Sequence, residues 1–256
     1  MTETPTTDEL RRQAETALLS LRAAGVDWLP RGAKLKAPVA AASSAASPAA
    51  AVVLEKSMPK LSLAERRKSL ELLKEEVKAC TLCSELAASR TQIVFGDGQA
   101  GAELCFLGEA PGADEDAQGI PFVGAAGQLL NRIILACGLT REEVYICNIL
   151  RCRPPGNRTP VPEEADNCRR WLDKQLELVQ PKFICCLGAT AATHLLQVKK
   201  PLGALRNTFH EYKGIPVLVT YHPAYLLPHR NPAKKKEVWE DMQLLMKKMG
   251  REIPKS

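Results

Sequence analysis

No uncharged apolar run in this chain reaches the roughly 18–20 residues needed to cross a bilayer, so the sequence predicts no membrane-spanning helix. The opening Met1-Thr2-Glu3-Thr4-Pro5 lacks the basic and apolar stretches of a secretory leader, and the expected location is the cytoplasm. Without a leader, the nine cysteines among 256 residues do not read as a disulfide framework. In a reducing compartment they are either small buried hydrophobes or metal ligands. No internal repeat is visible. Neither sign of charge dominates: 35 Lys and Arg stand against 29 Asp and Glu, a formal +6, compatible with a polyanionic partner without requiring one. Apolar residues at 45% and charged residues at 25% exclude wholesale disorder.

Charge is missing altogether from residues 37–52, which hold nine Ala, three Ser, two Pro and two Val. Such a stretch has no large side chains with which to build a core, and residues 33–60 are expected to form a flexible tether. Before it, residues 1–32 contain a short helical pattern over Thr7–Ala24, with Leu10, Ala14, Leu18 and Leu21 at helical spacing. A protein partner is expected for this segment. Residues 61–251 then read as one α/β domain, followed by a tail over 252–256. Ser62, with Glu65 three positions on, caps a helix to Lys78. Short apolar runs at Glu103–Leu107, Val144–Leu150, Phe183–Leu187 and Pro216–Thr220 read as buried strands. Helical patterns over Gly127–Cys137, Pro162–Val179, Ala189–Leu196 and Pro232–Lys248 lie between or after them. The alternation predicts a three-layer α/β/α fold with a central, mostly parallel four-stranded sheet. Ligands of such sheets bind at the strands' carboxyl ends, here Gly108–Gly112, Arg151–Pro154, Gly188–Thr190 and Tyr221–Pro223, and these should converge on one rim.

The cysteines separate by context. Cys105, Cys137, Cys147, Cys185 and Cys186 sit inside apolar runs and are expected as buried thiols. Cys80 and Cys83 form a C-x2-C at a helix end, while Cys152 and Cys168 lie among charged and polar neighbours. Four thiolates from loops and helix ends suit one tetrahedral metal or one cuboidal cluster, and spacing alone does not choose between zinc and iron–sulfur. Adjacent Arg151, Arg153, Arg169 and Arg170 would offset thiolate charge or meet a phosphate backbone.

Several motifs follow one another in a fixed order: Gly108-Glu109-Ala110-Pro111-Gly112, Glu115-Asp116, Gly119-Ile120-Pro121-Phe122-Val123-Gly124, Asn148 through Arg158, and His222-Pro223-Ala224-Tyr225-Leu226-Leu227. With the four cysteines, residues 62–249 resemble the family 4, iron–sulfur uracil-DNA glycosylases. The resemblance implies hydrolysis of the N-glycosidic bond of deoxyuridine in double- or single-stranded DNA, with nucleotide flipping. It implies a 4Fe–4S cluster on Cys80, Cys83, Cys152 and Cys168. It also implies a monomeric, monofunctional repair enzyme, nucleoid-associated when on DNA.

The same resemblance assigns site residues, each checked against its chemistry. Phe122 matches the family's stacking residue. Asn148 offers a planar acceptor–donor pair for the uracil edge. His222 is placed to donate to uracil O2 as charge develops there. Glu109 would orient water or stabilise the cationic sugar, and the Ala110 N–H would face O2. Glu115 would lie against uracil C5 and crowd a thymine methyl, while Asp114 and Asp116 are expected in solvent. Leu226 and Leu227 would wedge into the vacated stack, and Arg153 and Arg158 would contact DNA. Family members commonly run HPAYLLRNP, whereas Pro228-His229 are inserted here, which lengthens the wedge loop. No histidine-bearing basic insertion follows Arg158, so turnover is expected rather than covalent trapping. Two alternatives share these residues: a glycosylase with a broader range of deaminated bases, and a non-catalytic iron–sulfur DNA-binding module.

Overall fold

The computed structural model describes residues 61–252. The expected helix over Thr7–Ala24, the tether 33–60 and the tail beyond residue 252 lie outside the described residues.

The described chain opens on α1 (Leu63–Lys78), closed at its start by the expected reciprocal cap. The Ser62 hydroxyl accepts the Glu65 N–H at 3.3 Å, and the Glu65 carboxylate accepts the Ser62 N–H at 2.8 Å. After it come α2 (Ser84–Ser89), β1 (Leu104–Gly108), α3 (Ala113–Gln118), α4 (Ala125–Ala136) and β2 (Tyr145–Asn148). Next are α5 (Pro162–Val179), β3 (Phe183–Leu187), α6 (Ala189–Leu196) and α7 (Leu202–Leu205). The order ends with β4 (Phe209–Tyr212), β5 (Ile215–Thr220) and α8 (Lys235–Lys248). Pro162 opens α5 where its missing N–H is of no consequence, and Gln180 closes it in the left-handed region at φ 54°.

The sheet has five strands in the order β2-β1-β3-β5-β4. This corrects the four-strand expectation. The first four positions are parallel, and β4 adds antiparallel to the edge. The missed strand is short and reads Phe-His-Glu-Tyr, so it lacks the apolar run that marks a central strand. Lys213 and Gly214 both have positive φ (49° and 81°), the geometry that joins two antiparallel strands through a two-residue turn.

Alternation along the strands builds the three layers. Cys105, Leu107, Cys147, Ile184, Cys186, Val217 and Val219 face the core shared with α1, α5 and α6. Leu104, Phe106, Ile146, Cys185, Leu187 and Leu218 face the core shared with α4 and α8. Cys105, Cys137, Cys147, Cys185 and Cys186 are buried, as expected. A fully buried Phe or Leu in such a core contributes about 1.5–3 kcal/mol. The fold therefore presents the strands' carboxyl ends as one stable rim. Among the described residues, no helix is long and apolar enough to cross a membrane.

Candidate functional site

A cavity of about 520 Å³ opens at that rim. It is lined from three strand ends: Glu109 and Ala110 after β1, Asn148 at the end of β2, and His222 after β5. The β1–β2 ladder runs past the strands' ends. Gly108 pairs in register with Asn148, and the Ile149 and Leu150 N–H groups donate to the Gly108 and Glu109 carbonyls at 2.9 and 3.1 Å. Glu109 and Asn148 are thereby fixed side by side. The loop after β3 joins through backbone: Gly188, at φ 95°, packs so near His222 that a Cβ there would stand 3.1 Å from the His222 Cβ.

Asn148 is 2% exposed, and its Oδ1 has no hydrogen-bond partner. An unpaired buried oxygen costs about 1–3 kcal/mol. Gly108 makes room for it: a Cβ at that position would lie 2.3 Å from Asn148 Oδ1 and 2.6 Å from the Phe122 ring. Phe122 has φ 53°, a left-handed conformation that is unfavourable for a bulky residue. Its ring lies 5.6 Å from the His222 ring.

Two side chains hold the Phe122 loop. The Glu115 carboxylate accepts N–H groups of Gly112, Val123 and Gly124 at 3.1, 2.9 and 3.0 Å. Arg141 donates to the Pro121 carbonyl at 2.6 Å, the Phe122 carbonyl at 3.2 Å, Asn131 Oδ1 at 3.0 Å and Asp97 Oδ2 at 2.8 Å. Arg141 carried no motif and was invisible to sequence reasoning. Asp114 is exposed on the cavity wall. Asp116 is not in solvent as expected: it is 2% exposed and accepts the Thr91 N–H at 3.0 and 3.1 Å.

His222 Nδ1 accepts the Ala224 N–H at 3.1 Å, which leaves Nε2 to carry the ring proton. Burial pushes its pKa down to about 4, with Arg230 adding to the effect and Glu115 opposing it. The ring is neutral near pH 7, so it is a hydrogen-bond donor without a charge.

The expected DNA contacts fare unevenly. Leu226 is fully buried in the core with α4 and α8, so it cannot wedge into a base stack. Leu227 is half-buried against the same core. Arg158 is committed to Glu164 at 2.6 Å and Glu85 at 2.7 Å. Arg153 donates to Asn157 Oδ1 at 2.7 Å and stays partly exposed. Arg151 is 1% exposed and donates to the Asn148 and Ile149 carbonyls at 2.8 and 2.9 Å, so it meets no phosphate.

Cys80, Cys83, Cys152 and Cys168 all line one small cavity of about 20 Å³ between α1, α2, α5 and the loop after β2. Among the described residues, no three His, Cys, Asp or Glu side chains gather tightly enough to hold a single metal ion. The four thiols ring a space. Three of them receive N–H donors: Trp171 Nε1 reaches Cys80 at 3.4 Å, Asn167 Nδ2 reaches Cys83 at 3.7 Å, and Arg90 reaches Cys152 at 3.1 Å. Burial pushes the Cys83 and Cys152 thiols up, and the Asn167 and Arg90 donors pull them back down. Of the expected arginines, Arg151 does line this space, but it donates to the Asn148 and Ile149 carbonyls rather than to a thiol. Arg169 donates to the His194 and Leu195 carbonyls, and Arg170 lies over the Trp171 ring. Arg90, which no motif marked, is the cation on a thiol.

A model of the uracil DNA glycosylase superfamily matches residues 95–243. A type-4 uracil-DNA glycosylase of Thermotoga maritima is 42% identical over 180 residues, 70% of this chain and 93% of the relative. One from Archaeoglobus fulgidus is 39% identical over 194 residues, 73% of this chain and 96% of the relative. A type-5 uracil-DNA glycosylase of Pyrobaculum aerophilum is 32% identical over 149 residues, half of this chain and 64% of the relative. The matched span contains both strand ends that carry Glu109 and Asn148, the loop of Phe122 and the turn of His222, and by these similarities the chain belongs to the uracil DNA glycosylase superfamily, with the type-4 enzymes as its kin.

Proposed function

We propose that the strand-end cavity receives the uracil of a flipped deoxyuridine and that the surrounding residues divide the work of releasing it. The observation that carries this is the orphan Asn148 Oδ1, buried beside an aromatic ring and a neutral imidazole. A ligand with an N–H donor next to a carbonyl acceptor satisfies it: uracil N3–H donates to Oδ1 and Asn148 Nδ2 donates to O4. Phe122 covers the face of the base. Its left-handed backbone is supported by Arg141, which donates to its carbonyl, and by Glu115, which accepts the N–H groups of the next two residues, Val123 and Gly124.

Cleavage moves the bonding electrons of C1′–N1 onto the uracil, largely to O2, and leaves positive character on the sugar. His222 donates through Nε2–H to O2. It enters neutral and gives up no net charge to the solvent beforehand, so its dipole acts when the anion forms. The Ala110 N–H is the second donor. The Glu109 carboxylate faces the sugar side, where it stabilises the cation and directs water to C1′. Water adds its hydroxyl to C1′, and its proton balances the departing uracil anion. The products are free uracil and an abasic site. Glu115, with its carboxylate spent on three N–H groups, acts by holding the wall that excludes a thymine methyl.

The four thiols of Cys80, Cys83, Cys152 and Cys168 would hold a 4Fe–4S cluster. Their arrangement around a space, with N–H donors already aimed at sulfur, suits thiolate ligands of a polynuclear group. When bound, it supplies metal–sulfur bonds that tie α1, the start of α2, α5 and the loop after β2 together. Residues 61–251 form the catalytic unit, active as a monomer, with residues 1–32 left for a protein partner.

The test is strand scission of an oligonucleotide with a single U, beside matched T and hypoxanthine strands, after alkali. Scission at U alone is expected. Scission at hypoxanthine as well would establish the broader base range, and none at any base would leave a DNA-binding module or a covalent trap of uracil-DNA, told apart by a shifted band that resists denaturation. A chain lacking residues 1–58 is expected to cut equally well.

A further inference from the structure

The turn after His222 carries an aromatic that the reaction above leaves unused. Tyr225 is 38% exposed and lines the cavity mouth beside Ala224 and Arg230. Its ring stacks on Tyr221, with centroids 5.3 Å apart and planes 15° from parallel. Tyr221 is backed in turn by the Arg206 guanidinium, 4.4 Å from the ring centroid, a favourable cation–π distance. Arg206 is anchored below. It donates to the fully buried Asp241 at 2.9 Å, to the Glu237 carbonyl at 2.9 Å, and pairs with the Glu237 carboxylate. The same carboxylate accepts the Tyr221 hydroxyl at 3.1 Å, and Asp241 accepts the Thr220 hydroxyl at 2.6 Å. The Asn231 N–H closes the turn onto the Tyr225 carbonyl at 3.0 Å.

These contacts form a column from the core to the rim: Asp241, Arg206, Tyr221, Tyr225. Its outermost member is an aromatic ring at the mouth of the cavity that takes the flipped base. Leu226, the next residue, is buried and unavailable. We infer that Tyr225, held on the Arg206–Tyr221 column, is the stacking surface for the nucleobase neighbouring the flipped nucleotide. This rests on the reading of the cavity as a uracil pocket. Flipping breaks the stacking of the neighbouring base on its partner, and an aromatic ring replaces that lost contact without regard to sequence, since every base has a π-face. The ring is already ordered by its own stack, so little further freedom is lost on binding.

The experiment uses DNA with 2-aminopurine beside a 2′-fluoro-deoxyuridine that resists cleavage, in one strand polarity and then the other. Binding is followed by anisotropy and base stacking by 2-aminopurine fluorescence. Tyr225→Ala is expected to weaken binding about 5- to 100-fold and to abolish the stacking-dependent fluorescence change on one side of the site. Tyr225→Phe should restore both to within about twofold, because the ring rather than the hydroxyl carries the contact. If Tyr225→Ala loses its cooperative melt, Tyr225→Leu keeps the cover over Tyr221 and takes its place. A folded Ala or Leu variant that binds and alters fluorescence like wild type would overturn the inference. Wild-type scission at U in ordinary DNA is run alongside. Its absence would bring down the uracil pocket and the stacking surface together, while scission with Tyr225-independent fluorescence would bring down the stacking surface alone.

Discussion

Asn148 and Cys152 are four residues apart, yet they belong to regions that treat their polar atoms in opposite ways. In the strand-end cavity Asn148 Oδ1 is buried with no partner, in a space of about 520 Å³. In the cysteine site, of about 20 Å³, three of four sulfurs already carry N–H donors. Between the two lies Arg151, buried and bonded to the Asn148 carbonyl. A cavity whose polar atom is unsatisfied suits a visitor that arrives, satisfies it and leaves. Ligands that are hydrogen-bonded in advance suit a resident that stays. The contrast is the one expected if, as proposed, the first region takes a substrate and the second holds a resident group.

The contrast can be broken most sharply at Asn148. Asn148→Ala is expected to lower the rate of uracil release about 10²- to 10³-fold, the cost of losing one aimed polar partner. It should leave thermal stability unchanged or raised, since an unpaired buried oxygen goes with it. An active but destabilised variant would mean that Asn148 is structural and that the two regions are alike.

Next in size is the pH response of His222. Its folded pKa of about 4 lies below the ordinary 6.5, so the unfolded chain takes up the proton first as pH falls. Stability from this group is complete above pH 6.5 and declines toward pH 4, by up to about 3 kcal/mol. Urea unfolding of wild type and His222→Gln across that window should show a shallower slope in the variant. Identical slopes would place the loss of stability elsewhere.

Gly108→Ala comes third. Its Cβ would push against Asn148 Oδ1 and the Phe122 ring, and a displacement of this order costs about 10²-fold in rate. Single-turnover release of uracil would report it, and a wild-type rate would show that the pocket wall yields. The smallest effect belongs to the cysteine site. Arg90→Ala removes donors to Cys152 Sγ and to the Lys78 and Cys80 carbonyls. A loss of about 1.5–3 kcal/mol, the range for a hydrogen bond to a charged group, is expected. It would be read as a lower Tm and, if the protein carries the proposed cluster, as faster loss of iron to a chelator. Wild-type iron retention would deny the pre-solvated character of that region.

The residues of the candidate site were legible mainly through the ordered motifs of the family they resemble, and a few also because they contradict their surroundings. Asn148 ends an apolar strand, His222 follows another, Cys80 and Cys83 pair at a helix end, and Cys152 and Cys168 stand among charges. The parallel strands and their helices were legible for the converse reason, as uninterrupted apolar runs and periodic patterns. Edge strand Phe209–Tyr212 alternates too weakly to declare itself, because only one of its flanks is paired. Arg90, Arg141 and Arg206 look like ordinary surface cations in sequence; their importance comes from tertiary contacts that no local pattern encodes. Leu226 shows the reverse failure. Its motif was legible, but motif order says nothing of which side chain turns inward, and here the core with α4 and α8 takes it.

The hydrogen bond from Asn231 to the Tyr225 carbonyl draws a chord across the turn after His222. Between its ends Leu226 turns inward to the core, while Pro228, His229 and Arg230 are exposed on the outer side. Removing or adding residues at Pro228 and His229 is therefore expected to leave the residues on the inner side in place. The turn thus carries two separate demands: its inner side has to keep Leu226 packed and the His222 ring in place, whereas its exposed outer residues can change without disturbing either.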